Sequence, residues 1–181
     1  MRAEEYIGLV GPARKVRASA NGSVHFSSRD DEHYTPEPVL ELVREMLGAI
    51  ELDPCSPVDK SNPTGASRFY TLRDDGLKQR WASPAVFMNP PYSVVARWCG
   101  HLRREHAAGR TKEAIALVAA RPDTEWFERL SDYAWCAVRG RLVFRGSDNG
   151  APFPSALFYL GERVERFADI FRALGTIYRA L

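Results

Sequence analysis

Apolar and polar positions divide the chain into an irregular start, an alternation of strand and helix periods, and a strand-rich end. Residues 1–30 mix glycine, serine, asparagine and charges without sustained period and read as an irregular, partly disordered arm. The first firm element is a helix opening at Thr35, a hydroxyl residue suited to capping, with Pro36 at the first helical position and Glu37 in the first turn. Val39, Leu42, Val43, Met46 and Leu47 then share one face, and Gly48 can end the helix in the left-handed conformation.

Three short apolar runs follow, each delivering polar residues at its C-terminal end. Ala49-Ile50-Glu51-Leu52 leads to Asp53-Pro54, Arg68-Phe69-Tyr70-Thr71 stops at a turn of Asp74, Asp75 and Gly76, and Ala85-Val86-Phe87-Met88 leads to Asn89-Pro90-Pro91-Tyr92. A helix over 93–108 carries Val94, Trp98 and Leu102 on one stripe and closes at Gly109. Residues 114–120 are apolar on both faces, as a central parallel strand requires when helices cover both sides of its sheet. A turn and helix over 124–130 come next. Residues 135–138, 142–144 and 156–160 then read as antiparallel strands near a sheet edge, and a short helix over 164–174 precedes a terminal strand over 176–178. The expected fold is an α/β sandwich, mostly parallel with an antiparallel edge, forming one domain over 31–181. Ligands on such sheets bind beyond the C-terminal strand ends, where Asp53 and Asn89 both stand.

Length and composition sharpen this picture. The chain has 181 residues, 45% of them hydrophobic, enough for one buried core and too few for two comfortable domains. It has no apolar run near the ~18 residues of a membrane span and no secretory signal, so a cytoplasmic protein without a membrane partner is expected. Cys55, Cys99 and Cys136 are odd in number and far apart, which points to buried free thiols rather than disulfides or zinc. The four histidines are scattered, and no metal site is expected. Net charge is only +2, but residues 1–92 hold 11 basic against 13 acidic residues and 93–145 hold 10 against 6. The basic surplus therefore begins directly after Asn-Pro-Pro-Tyr, a distribution that suits nucleic acid as well as an ordinary solvated surface.

The tetrapeptide is the most specific chemical signal. The exocyclic amine of adenine is conjugated into its ring and is a poor nucleophile, so catalysis must draw its lone pair out of the plane and aim it at an electrophilic methyl group. The Asn89 side-chain oxygen and the Pro90 carbonyl can accept the two amine hydrogens. Pro90 and Pro91 stiffen the loop and supply no competing donor, and Tyr92 can stack on a base extruded from the duplex.

With these residues in view, the chain resembles the phage-type DNA adenine methyltransferases over about residues 27–179. The resemblance is carried by Ser27-Ser28 and an acidic stretch, Tyr34-Thr35-Pro36, Leu52-Asp53-Pro54, Asp75-Gly76-Leu77 with Trp81, Asn89-Pro90-Pro91-Tyr92-Ser93, Trp98, Asp123-Thr124 with Trp126-Phe127, and Gly140-Arg141-Leu142 with Phe144. It implies the Rossmann-like, seven-stranded methyltransferase fold, S-adenosylmethionine as donor, double-stranded DNA as acceptor, and a phage-encoded or bacterial protein. The usual Gly-x-Gly cofactor loop after the first strand is missing, and Asp53-Pro54-Cys55-Ser56 stands there. By position in the family, Asp53 and Pro54 would face the methionine part of the donor, Tyr34, Thr35 and Pro36 would border the same pocket, and Asp75 with Leu77 would cradle its adenine. Each has a purely structural alternative: Thr35 as a helix cap, Asp53 as a strand-end cap and Asp75 as a turn residue. On the acceptor side, Tyr92 and Ser93 follow the catalytic Asn89, Arg121, Arg139, Arg141 and Arg145 could meet phosphates, and Ser155 could border the base pocket. Only 35 residues separate Asp53 from Asn89, so one strand-helix unit is expected to be shortened or lost.

Two other readings share these residues. The same loop suits any planar amide or amine, including adenine in RNA or glutamine in a protein, although a protein-glutamine enzyme would be expected to carry a substantial helical domain ahead of the first helix. A non-catalytic nucleic-acid-binding module that keeps the fold is favoured by the missing Gly-x-Gly and opposed by the intact Asn89 and Tyr92.

Overall fold

A computed structural model describes residues 10–11, 34–57, 62–145 and 150–180. The arm expected over 1–30 lies outside the described residues apart from β1 (Val10–Gly11). Helix α1 (Glu37–Leu47) buries Val39, Leu40, Leu42, Val43, Met46 and Leu47, and Gly48 follows it with φ of 85°. Its start corrects the expectation for Thr35 and Pro36. Pro36 is the cap residue in extended conformation, no side chain caps the helix, and the Pro36 carbonyl accepts from the N–H groups of Val39 (3.0 Å) and Leu40 (3.2 Å).

The strands then come in the expected order: β2 (Leu52–Asp53), β3 (Arg68–Phe69) and β4 (Ser83–Met88). Helix α2 (Val95–Ala107) buries Val95, Trp98, Cys99 and Leu102, whereas Val94, expected on that stripe, is exposed just ahead of the helix. After it come β5 (Thr111–Ala119), α3 (Glu125–Leu130), β6 (Ala134–Val138), β7 (Arg141–Leu142), β8 (Ser155–Leu160), α4 (Val164–Phe171) and β9 (Gly175–Tyr178).

Seven strands form one sheet in the order β3-β2-β4-β5-β8-β6-β9. β3, β2, β4 and β5 are mutually parallel, and β8, β6 and β9 continue in antiparallel pairings. β5 is therefore parallel to its neighbour on one side only, because β8 runs against it with Ala119 opposite Ser155. The expected strand over 142–144 does not join this sheet; β7 pairs instead with β1, Val10 opposite Leu142. Between β2 and β4 the described chain has β3 and a 3-10 turn (Gly76–Lys78) but no α-helix, the shortening that the spacing implied.

Alternation along β5 divides the core. Ile115 and Leu117 face α1 and α4, joined by Phe87, Leu157, Phe167 and Phe171. Ala114, Ala116 and Val118 face α2 and α3 with Trp81, Trp98, Leu102, Phe127 and Phe158. A strand buried on both faces carries apolar residues throughout, which accounts for the unbroken run at 114–120. The second layer also holds a buried carboxylate, Glu105, which accepts from the Trp81 N–H (3.0 Å) and from Arg110 Nε (2.7 Å) and Nη2 (2.8 Å).

Replacing Glu105 by alanine should leave the Trp81 N–H and one face of Arg110 without an acceptor and lower unfolding stability by about 2–3 kcal/mol. The hydrogen bonds from Arg110 hold the Glu105 carboxyl below the usual range, so this stabilisation is intact at neutral pH and fades as acid protonates the folded carboxylate. Urea denaturation of both proteins should therefore show a gap that narrows with acidification, and a gap of equal size at all pH values would be contrary to this account.

Candidate active site

β2 and β4 are adjacent and parallel, with Leu52 opposite Val86, so their C-terminal ends release Asp53 and Asn89 side by side. A cavity of about 280 Å³ opens there. Tyr34, Thr35 and Leu40 line one side, Asp53, Pro54, Cys55 and Ser56 the floor, and Thr71, Leu72, Asp75 and Gly76 the far rim; Pro57, Pro63 and Thr64 from the loop after β2, and Asn89, Pro91 and Trp98, line the rest. Leu72 is 82% exposed at that rim, unusual for an aliphatic side chain beside a pocket.

Asp53 is buried, and both its oxygens are engaged. Oδ1 accepts the Cys55 N–H and Oδ2 accepts the Thr64 hydroxyl, each at 3.1 Å. Thr64 sits on a short loop closed by Asn62, whose amide bonds the Ala66 carbonyl (2.8 Å) and N–H (3.2 Å). Burial raises the Asp53 carboxyl to about 6 and outweighs these bonds, which favour the charged form. Burial and the Asp53 carboxylate likewise push the Cys55 thiol well up, while the Asn89 backbone N–H donates to it. Cys55 is thus a half-buried neutral thiol on the pocket floor, in contrast to the fully buried Cys99 and Cys136. The Ser56 hydroxyl is buried, close enough to Asp53 to favour its charge slightly, and completes no hydrogen bond.

The side-chain Nδ2 of Asn89 donates to the Thr35 hydroxyl at 3.1 Å, so Thr35 serves the loop after β4 and not the helix that follows it. Pro90 is buried behind the loop and Pro91 lines the pocket. Tyr92 lies outside the lining; its ring meets Phe153 edge-on at 4.7 Å, and burial pushes its phenol up. Ser93 is exposed. Asp75 adopts a left-handed conformation at the rim, and its carboxylate, paired with Lys78 at 2.9 Å, is held below the usual range.

The cavity thus unites Tyr34, Thr35, Asp53, Pro54, Asp75, Asn89 and Pro91. Pro36 and Leu77 are outside it, Leu77 because its side chain packs against the Trp81 and Trp98 layer. Arg121 is exposed and held bidentately by Asp123 at 3.0 and 2.9 Å, and Arg141 belongs to β7. Ser155 is buried at the first position of β8, two strands from Asn89. Sequence reasoning passed over Ser56, Thr64 and Phe153. Their only signals were adjacency to the Asp-Pro motif, a Pro-Thr-Gly loop, and the Pro152-Phe153-Pro154 string. Among the described residues no cluster of acidic, histidine or cysteine side chains is arranged for a metal, and no helix is long and apolar enough to cross a membrane.

The raised Asp53 carboxyl has a defined consequence. A folded-state value above the unfolded one gives a contribution that is fully present below about pH 4 and is lost as pH rises through about 6. Asp53→Asn should therefore gain stability relative to the parent protein over that interval and hold the gain at higher pH, as read by denaturant midpoints; a pH-independent difference would mean that the carboxyl titrates normally.

No curated protein matches the chain. A family model described as DNA N-6-adenine-methyltransferase (Dam) matches residues 22–155, nearly three-quarters of the sequence and all of the pocket. The chain belongs to the DNA N-6-adenine-methyltransferase family.

Proposed function

We propose that the chain methylates the exocyclic amine of adenine in double-stranded DNA with S-adenosylmethionine as donor, on a Rossmann-like methyltransferase sandwich. The observation that carries this reading is the meeting of Asp53 and Asn89 in one pocket at the ends of adjacent parallel strands, which sets a buried anionic group beside an amide suited to an amine.

The residues fit the donor. When bound, it supplies a methyl group on a sulfonium, open to attack by a nitrogen lone pair. Its amino-acid end carries an ammonium and a carboxylate, and the pocket offers the Asp53 carboxylate and the buried Ser56 hydroxyl for such groups. Tyr34 and Thr35 border it on the α1 side. Trp98 and Leu72 provide apolar walls, and Leu72 with Asp75 would hold the donor's base in place of the packed-away Leu77.

On the acceptor side, the Asn89 oxygen and the Pro90 carbonyl accept the hydrogens of the amine and turn its lone pair toward the methyl carbon. With the donor bound, attack by that lone pair would form the nitrogen-carbon bond as the sulfur-carbon bond breaks, and the surplus amine proton would leave to water. Tyr92, its tilt set by Phe153, supplies a stacking surface for the flipped base. Ser93 is exposed in the turn ahead of α2, and Arg139, Arg141 and Arg145 lie beyond β6 and along β7 for phosphate contact; Arg121 must exchange Asp123 for a phosphate to contribute. Ser155, buried at the start of β8, would border the base side.

Asn89→Ala should abolish methyl transfer while changing donor affinity by no more than a few-fold; nucleoside mass spectrometry of product DNA and calorimetry read the two quantities. An alanine variant retaining a tenth of the activity would remove Asn89 from the chemistry. For Tyr92, phenylalanine and tryptophan should preserve most of the rate, and alanine should cost about 1–3 kcal/mol, roughly ten- to a hundredfold. If phenylalanine proved as damaging as alanine, the hydroxyl and not the ring would matter.

A further inference from the structure

We infer that Thr35 is a positioning residue for the transfer step. Its hydroxyl holds the Asn89 amide with the nitrogen turned toward the start of α1, which presents the amide oxygen to the acceptor amine. The inference rests on the proposed role of Asn89.

The 3.1 Å contact joins residues 54 positions apart, on the approach to α1 and at the exit of β4. Thr35 is 4% exposed, so water competes little for its hydroxyl. Nor does the helix compete. The Pro36 carbonyl takes the Val39 and Leu40 N–H groups, Pro38 has none to offer, and no side chain caps α1. A threonine ahead of a helix ordinarily spends its hydroxyl on those donors; this one is released for Asn89.

The geometry matters because the terminal torsion of asparagine is soft and nearly two-fold, so packing alone distinguishes its oxygen from its nitrogen poorly. A half-turn would set an N–H donor against the hydrogens of the acceptor amine and lose the interaction. Among the described contacts Asn89 is held through its side chain by the Nδ2 bond to Thr35, and its backbone N–H lies where it favours a charge on the Cys55 sulfur. Thr35 is itself fixed from behind, since the Tyr34 carbonyl accepts the Arg145 N–H at 2.9 Å and ties the approach to α1 to the segment after β7. Thr35 also lines the pocket, so a direct contact with the donor is the competing role, and the two predict different kinetics.

The test compares Thr35→Val, which keeps the shape and loses the hydroxyl, with Thr35→Ser, which keeps the hydroxyl. Three readouts apply: single-turnover methyl transfer to duplex DNA, the Kd of S-adenosylhomocysteine by calorimetry, and hydrogen exchange of the Asn89 side-chain amide, whose resonance is assigned by its loss in Asn89→Ala. Positioning predicts at least a tenfold slower transfer in the valine variant, a Kd within threefold, and a serine variant within threefold of the parent rate. It also predicts that the Asn89 amide of the parent protein exchanges at least tenfold more slowly than free asparagine and that the valine variant loses this protection. A valine variant within threefold of the parent rate would overturn the inference, and so would a slow variant whose defect disappears at saturating donor. If the valine variant does not fold, exchange in the parent protein decides, and rapid exchange refutes the hydrogen bond. A parent protein that methylates no DNA would instead reject the proposed function, leaving amide exchange in the parent and valine proteins to uphold or overturn the Thr35 contact.

Discussion

The parallel pairing of β2 with β4, set by Leu52 opposite Val86 and by the Glu51 N–H bonding the Ala85 carbonyl at 3.0 Å, ends both strands at the same level. The rest of the site follows from that shared level. Leu52 belongs to the α2 layer and Phe87 to the α1 layer, so strand alternation turns the next α1-side positions, Asp53 and Asn89, toward the beginning of α1. A one-residue slip of either strand would send one of them to the opposite layer. The buried residues of α1, packed on Phe87, Ile115 and Leu117, therefore do more than fill the core: they hold Thr35 within reach of Asn89.

The charge at the pocket floor opposes folding. Burial raises Asp53 against the combined pull of the Cys55 N–H and the Thr64 and Ser56 hydroxyls, so an uncharged side chain would be easier to accommodate. Glu105 is the contrast within the same molecule. It is also buried, but a bidentate arginine holds its carboxyl low. The protein evidently can supply a cation where a carboxylate is structural. Among the described contacts Asp53 receives only neutral donors, the arrangement expected where the compensating positive charge arrives with a ligand.

Much of this was legible in the sequence. Apolar runs on both faces marked β5, strand-end polar residues marked Asp53 and Asn89, and the short spacing between them marked the missing helix. What escaped had specific physical causes. Thr35 carries the signature of a cap, and only the Pro36 carbonyl's hold on the first turn shows that the hydroxyl is spent elsewhere. Residues 142–144 have the composition of a sheet strand, but β9 already occupies the free edge of β6, so β7 finds its partner in β1. Leu77 and Leu72 are five residues apart on one loop. Whether each packs inward or rims the pocket depends on the 3-10 turn at Gly76–Lys78, a feature with no periodic signal.

That turn also bears on the missing Gly-x-Gly. Glycines in a loop after a first strand permit close backbone approach, and Asp53-Pro54-Cys55-Ser56 contains none. In this fold the glycine is on the opposing element. A Cβ on Gly76 would stand 2.0 Å from the Pro54 carbonyl oxygen and 3.1 Å from the Trp98 ring, so only glycine lets the turn close on the floor of the pocket. The Gly76 carbonyl is then fixed by the Trp81 indole N–H at 2.9 Å, and Trp81 stacks on Trp98 at 5.9 Å, which locks the floor, the rim and the α2 wall together. The loop after β2, built from a carboxylate, a proline and small polar residues, therefore packs directly against this turn, and the close backbone contact between them is possible because the residue opposite Pro54 is a glycine.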